Sequence, residues 1–121
     1  MIPGDIVTVD FPGATGVKRR PVVVVSTSQY HRYRPDIVVA VLTSQVQKAT
    51  TPLDYILLDW EAAGLRREST FRPYLATVLA VTAQPIGHCS DRDWRAIQTR
   101  LARAIDVSGA MRVIREGYDP S

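Results

Sequence analysis

The side chains of Ile6-Val7-Thr8-Val9-Asp10 alternate between apolar and polar, the period of a half-buried strand. The breakers Pro12-Gly13-Ala14-Thr15-Gly16 are expected to end it. A second strand is predicted to start near Arg20 or Pro21 and to carry Val22 to Val25, because proline is tolerated at a strand's first position and valine favours the pleated backbone. This reading leaves Lys18-Arg19-Arg20 on a flexible loop between two strands. Ile37 to Thr43 is an unbroken apolar run ending in the hydroxyl pair Thr43 and Ser44, and reads as a third strand. Tyr55 to Leu58 reads as a fourth, and Thr70 to Val81 as one or two more, interrupted near Pro73. After Ser90, a predicted N-cap with Asp93 at the third helical position, the period changes. Trp94, Ile97, Leu101 and Ile105 recur at spacings of three and four, the stripe of an amphipathic helix. Val107-Ser108-Gly109 is expected to stop that helix. Ala110 to Ser121 reads as a short second helix or an arm. Strand following strand with one late helix predicts a mainly β fold with some α: an antiparallel meander that closes or nearly closes into a small barrel.

At 121 residues and 45% hydrophobic content the chain suffices for one core and not for two ordinary domains. The expected organisation is therefore a single domain, residues 1–121, with its core in about 4–106 and an extension over 107–121. Net charge is only +3, but its distribution is uneven. No Asp or Glu occurs from Phe11 to Pro35, whereas Lys18, Arg19, Arg20, Arg32 and Arg34 all do, which favours an anionic partner. Cys89 is the only cysteine, so an intrachain disulfide and a cysteine-based zinc site are excluded, in keeping with a reducing cytoplasm. No apolar run approaches the roughly 20 residues of a membrane span, and a soluble protein with no membrane association is expected.

Two side chains carry the chemistry this pattern invites. Arg20 offers a planar fork matched to phosphate oxygens, and Thr43 a short hydroxyl whose rotamer is restricted by β-branching. Metal-free cleavage of RNA needs the ribose 2′-hydroxyl activated, the charge on phosphorus stabilised and the leaving oxygen protonated. Arginine is too basic to act as the general base, so Arg20 is assigned charge stabilisation, and the base stays unassigned. Lys18 and Arg19 are candidates for neighbouring phosphates, and Ser44 and Gln45 for hydrogen bonds at the rim. Tyr30-His31-Arg32-Tyr33-Arg34 permits base stacking by composition but reads better as an exposed connector. His31 and His88 have no spacing that joins them, and His88-Cys89 lacks further metal ligands.

An ordered set of segments carries a family resemblance: Gly4-Asp5-Ile6-Val7 with Asp10-Phe11, Arg19-Arg20-Pro21 with Val22 to Ser26, Val41-Leu42-Thr43-Ser44, Gly64-Leu65 with Ser69 and Arg72, and Ile86-Gly87 before the helix. Running from Gly4 to about Ile105, it resembles the MazF/PemK/Kid toxin endoribonucleases. The resemblance implies an SH3-like barrel with a packed C-terminal helix, the architecture shared with the CcdB gyrase poisons, and a homodimer. It also implies cleavage of single-stranded RNA without metal or cofactor, leaving 2′,3′-cyclic phosphate and 5′-hydroxyl ends, and inhibition by a cognate antitoxin. Arg20 and Thr43 fall at the family's catalytic pair, with Ser69 and Arg72 added as substrate contacts. In the PemK/Kid branch a catalytic aspartate follows two places after the arginine matched by Arg72; here that place holds Tyr74. The competing readings are a non-catalytic gyrase inhibitor, whose tryptophan-glycine-isoleucine ending is replaced here by Tyr118-Asp119-Pro120-Ser121, and an RNA-binding homologue without turnover.

Overall fold

A computed structural model describes residues 1–13, 16–45 and 51–109. Six strands, β1 (Asp5–Gly13), β2 (Gly16–Val24), β3 (Asp36–Thr43), β4 (Tyr55–Ile56), β5 (Thr70–Leu79) and β6 (Gln84–His88), form one antiparallel sheet in the order β4-β5-β3-β2-β1-β6. A short helix α1 (Ser28–Tyr33) links β2 to β3, and α2 (Asp91–Ala104) follows β6. The link from β5 to β6, mostly a 3₁₀ turn at Ala80–Thr82, must pass β3, β2 and β1. Four strand spacings in a flat sheet come to about 19 Å, whereas so short a link, coiled at about 2 Å per residue over the turn, covers roughly 13 Å. The sheet therefore curls into a half-barrel.

Alternation along the curled strands gives two apolar layers. Val7, Val9, Val22, Val24, Ile37 and Val39 are fully buried on one face, with Ala80 and Ala83 of the connecting turn packed against them. On the other face Ile6, Val23, Ala40, Leu42 and Phe71 pack with Leu57, Leu65 and Ile97 of α2. Trp94 and Leu101 complete the helical stripe. Ile105, placed in that stripe by its spacing, is instead the C-cap residue and 40% exposed, so α2 stops before the expected Val107-Ser108-Gly109.

Ser90 caps α2 as expected, accepting from the Asp93 amide at 3.3 Å. The Asp93 carboxylate is fully buried and is satisfied from outside the helix: it accepts from the Leu58 and Asp59 amides at 3.0 and 2.8 Å and from the Tyr55 hydroxyl at 2.6 Å. These bonds fasten the 55–59 segment to the helix N-terminus, where a negative charge is favoured. Burial, and then the Asp93 carboxylate, push the Tyr55 phenol well above its ordinary range. Nearby, Cys89 is 3% exposed and its thiol is pushed up to about 12 by burial, with Asp93 and Asp5 adding to the shift.

Further features differ from the sequence expectation. The breakers at 12–16 do not end β1: the strand runs to Gly13, β2 begins at Gly16, and Lys18, Arg19 and Arg20 pair with Phe11, Asp10 and Val9 rather than lying on a loop. Pro12 is accommodated because β1 pairs with β6 only through Thr8, so its outer edge asks for no donor there. Pro73 does not split β5 but sits in a bulge, where Pro73 and Tyr74 have no partners between Arg72, opposite Val41, and Leu75, opposite Ala40. The expected strand at Tyr55–Leu58 is limited to Tyr55–Ile56, and β6 was not anticipated as a strand because Pro85 and Gly87 disguise it. The short second helix or arm expected over Ala110 to Ser121 lies outside the described residues.

Replacing Asp93 by Ala removes the fully buried acceptor of two amides and a phenol together, so a loss of about 3 kcal/mol is expected in urea denaturation, far above a surface substitution on the same helix.

Candidate functional site

Only Val22–Val24 of β2 pair with β3, opposite Val41, Ala40 and Val39. Beyond Val22↔Val41 the two strands separate. Arg20 and Thr43 each lie two residues past that last pair, and because side chains repeat every second residue, both project from the face carrying Val22 and Val41. The space opened by the diverging strands is a groove of about 750 Å³ lined by both residues. The hydroxyl of Thr43 accepts from the Gln45 amide at 3.2 Å, which orients its oxygen and leaves its proton free to donate. Among the described residues, the Arg20 guanidinium has no hydrogen-bond or ion-pair partner.

Other residues singled out from sequence divide by position. Lys18, Ser44 and Gln45 line the same groove, exposed at its rim. Arg19 also lines it but is tied across β1: Nε donates to Thr8 Oγ1 at 3.3 Å, Nη1 meets Asp10 at 3.3 Å, and Nη2 donates to the Thr82 carbonyl at 2.8 Å. It stitches β2 to the approach to β6. Ser69 borders the groove, yet it is buried and its hydroxyl donates to the Arg67 carbonyl at 2.9 Å, so it shapes the wall. Arg72 is not among the lining residues. Its Nε meets the Asp54 carboxylate at 3.5 Å and its guanidinium lies 5.7 Å from the centre of the Tyr74 ring.

Sequence reasoning missed Arg66 and Arg67, which follow Gly64-Leu65 and bring a second pair of cations to the opposite wall. The dipeptide itself was the available signal; what concealed it was distance along the chain from the 18–20 block. With Lys18, Arg19 and Arg20, five cationic side chains line the groove, and no Asp, Glu or His lines it among the described residues. Such a one-signed concave surface concentrates an anionic chain. Ile86, the extra residue of a bulge between Ile6↔Gly87 and Val7↔Pro85, supplies apolar contact at the far wall.

The segment 30–34 lies elsewhere. Tyr30 and Arg34 bond the Asp36 carboxylate at 2.5 and 3.0 Å, holding it below the usual carboxylate range chiefly through the tyrosine, and His31 bridges Ser26 and the Met1 carbonyl. This is a connector anchored to β3, as expected from its composition. His88 bonds Asp5 at 2.8 Å, with no link to His31. No three His, Cys, Asp or Glu side chains gather among the described residues in a way that could hold a metal ion.

The family model described as PemK-like, MazF-like toxin of type II toxin-antitoxin system matches residues 2–105. No curated protein matches the sequence. Among solved structures, the fold is similar to an endoribonuclease in complex with its cognate antitoxin from a mycobacterial species, with TM-score 0.73 and 19% identity over 88% of this chain and 96% of that one. It is also similar to the Mycobacterium tuberculosis toxin MazF-mt6, with TM-score 0.69 and 17% identity over 86% and 98% of the two chains. The MazE–MazF complex of Deinococcus radiodurans gives TM-score 0.68 and 16% identity over 89% and 97%.

The differing roles of adjacent arginines are separable by stability. Arg19→Ala is expected to lower unfolding free energy by about 1 kcal/mol through its lost stitches, a modest figure because the site is partly solvated. Arg20→Ala is expected to stay within about 0.5 kcal/mol of the parent in the same denaturation experiment.

Proposed function

The chain belongs to the PemK-like, MazF-like toxins of type II toxin–antitoxin systems, and from that premise we propose that it is an endoribonuclease that cuts single-stranded RNA in the groove between β2 and β3. The observation that carries this reading is the shared face of Arg20 and Thr43 at the point where those strands part. In the proposed reaction the ribose 2′-oxygen attacks the adjacent phosphorus and the bond from phosphorus to the 5′-oxygen breaks. This leaves a 2′,3′-cyclic phosphate and a 5′-hydroxyl. Arg20 holds two phosphate oxygens through its fork and offsets the charge that grows on them, while the Thr43 hydroxyl donates to an oxygen of the same phosphate. Among the described residues no carboxylate or imidazole lines the groove, so in this reading the 2′ proton passes to water, and water returns a proton to the departing oxygen. The chemistry proposed here uses no metal.

Lys18, Arg66 and Arg67 hold phosphates on either side, with Arg19 as a tethered charge, and Ser44 and Gln45 reach the chain from the rim. Arg72, drawn toward Asp54, acts on substrate only through its neighbours. The working protein is proposed to be a single toxin domain acting as a cytoplasmic homodimer. Its inhibitor is a cognate antitoxin, as in the complexes of its structural neighbours; an acidic segment laid along five cations would close the groove.

Incubation of antitoxin-free protein with varied single-stranded RNAs in chelator is expected to give discrete fragments carrying 5′-hydroxyl ends. Arg20→Ala and Thr43→Val should each slow cleavage about 100-fold or more with the unfolding transition preserved. RNA left intact by the parent protein, with or without added divalent metal, would sink the proposal; salt-sensitive RNA binding in that case would favour a homologue without turnover. For binding itself, log affinity should fall with log salt at a slope near −0.7 per phosphate held, and Lys18→Ala or Arg67→Ala should each flatten the slope by about 0.7.

A further inference from the structure

Arg20 also borders a second, smaller cavity of about 220 Å³, whose lining does not include Thr43. Phe11 and Tyr74 are its aromatic walls, Val22 and Val41 its aliphatic floor, and Arg20 borders both it and the groove. Its position follows from the fold. Phe11 is two residues beyond Val9, the partner of Arg20, and so shares the face of that arginine. Tyr74 arrives from β5 only because the Pro73–Tyr74 bulge pushes it out of the ladder opposite Val41, and bulges commonly re-aim a side chain in this way. Tyr74 is 64% exposed, while the Arg72 guanidinium, itself paired with Asp54, steadies its ring from one side. An exposed aromatic ring steadied by a cation and facing an apolar hollow is a stacking platform.

We propose that this cavity receives the base of a nucleotide flanking the phosphate held by Arg20, stacked against Tyr74. The proposal rests on the reading of the groove as an RNA-cleaving site. Three observations select the occupant. The volume is below the roughly 300–1,000 Å³ of pockets that enclose a drug-sized ligand, so it suits one planar ring rather than a whole nucleotide. Its walls are aromatic and aliphatic, matching the faces of a base. Among the described residues its only charged border is Arg20, which places the entering ring next to the phosphate that Arg20 grips. Tyr74 thus serves as a specificity-determining, positioning residue, occupying the cavity wall by its ring and not by its hydroxyl.

The test begins by mapping the preferred cut on a long RNA. A short oligonucleotide containing that cut is then made in two forms, intact and lacking one flanking base. Tyr74→Ala is expected to lower kcat/KM on the intact oligonucleotide by about 5- to 150-fold, the range for loss of one base–aromatic stack, and to change cleavage of the abasic form little. Tyr74→Phe, which keeps the ring, should restore most of the loss. In parallel, a short single strand carrying 2-aminopurine in 2′-deoxy, uncleavable form should be quenched on binding the parent protein and not on binding Tyr74→Ala. Equal effects of Tyr74→Ala on intact and abasic oligonucleotides, or quenching that is absent or independent of Tyr74, would overturn the proposal. Cleavage indifferent to Tyr74 sinks the cavity assignment and leaves the proposed function standing, whereas Tyr74-dependent quenching without any cleavage does the reverse. If quenching by the parent fails while an aromatic antitoxin peptide is protected in the cavity, the occupant is protein and the base assignment falls.

Discussion

Three cross-strand pairs, Val22↔Val41, Val23↔Ala40 and Val24↔Val39, decide where the rest of the site falls. A strand's side chains alternate, so a slip of one residue between β2 and β3 would turn Arg20 and Thr43 to opposite faces and put a buried valine in water. The penalty for that slip is large because both faces of these strands are buried: Val22 and Val24 lie in one apolar layer and Val23 in the other. Register is therefore enforced by the core, and the polar pair inherits its alignment from residues that never meet a ligand. The parting of the strands past Val22 then supplies room between two groups already aimed the same way.

The charge arrangement builds on that frame. A hairpin formed by β1 and the first part of β2 carries Lys18 to Arg20 past the end of β3, and the 64–67 segment brings Arg66 and Arg67 from the other side. Packing five like charges around one hollow raises self-repulsion, and the fold answers it unevenly. Arg19 is neutralised by Asp10 and spread over Thr8 and the Thr82 carbonyl, while Arg20 keeps all its donors available among the described residues. Adjacent arginines in one strand point to opposite faces, and that alone separates a structural cation from one free to meet phosphate.

Much of this was legible in the residues themselves. The apolar runs at 22–25 and 37–43 and the capped helix after Ser90 follow from period, whereas Arg20 and Thr43 stood out as polar groups beside apolar runs and were joined as a pair by the family resemblance. What misled was local chemistry overridden by tertiary context. Pro12 and Gly13 look like terminators, yet a free strand edge tolerates them; Pro73 looks like an interruption, yet a bulge absorbs it; Pro85 and Gly87 obscure β6, which pairing with β1 nevertheless holds. Arg72 sat near the motif in sequence and was drawn off by Asp54, a partner 18 positions away that periodicity cannot reveal. Arg66 and Arg67 became visible only once the 55–65 segment was anchored beside β6.

That anchoring has its own basis in two glycines. A β-carbon on Gly64 would fall 2.2 Å from the Ile86 carbonyl oxygen, and one on Gly87 would fall 1.9 Å from the Ala63 carbonyl oxygen; Gly64 also holds a φ of 92° that suits glycine. Two stretches of main chain are thus pressed together with no side chain between them, directly beneath the wall that carries Arg66 and Arg67. Support and recognition are in this way assigned to different atoms. The scaffold on that side is written in backbone, so the residues mounted on it are at liberty to diverge, and a lineage could retune which strand of nucleic acid it favours by exchanging those outward groups while the architecture beneath stays as it is.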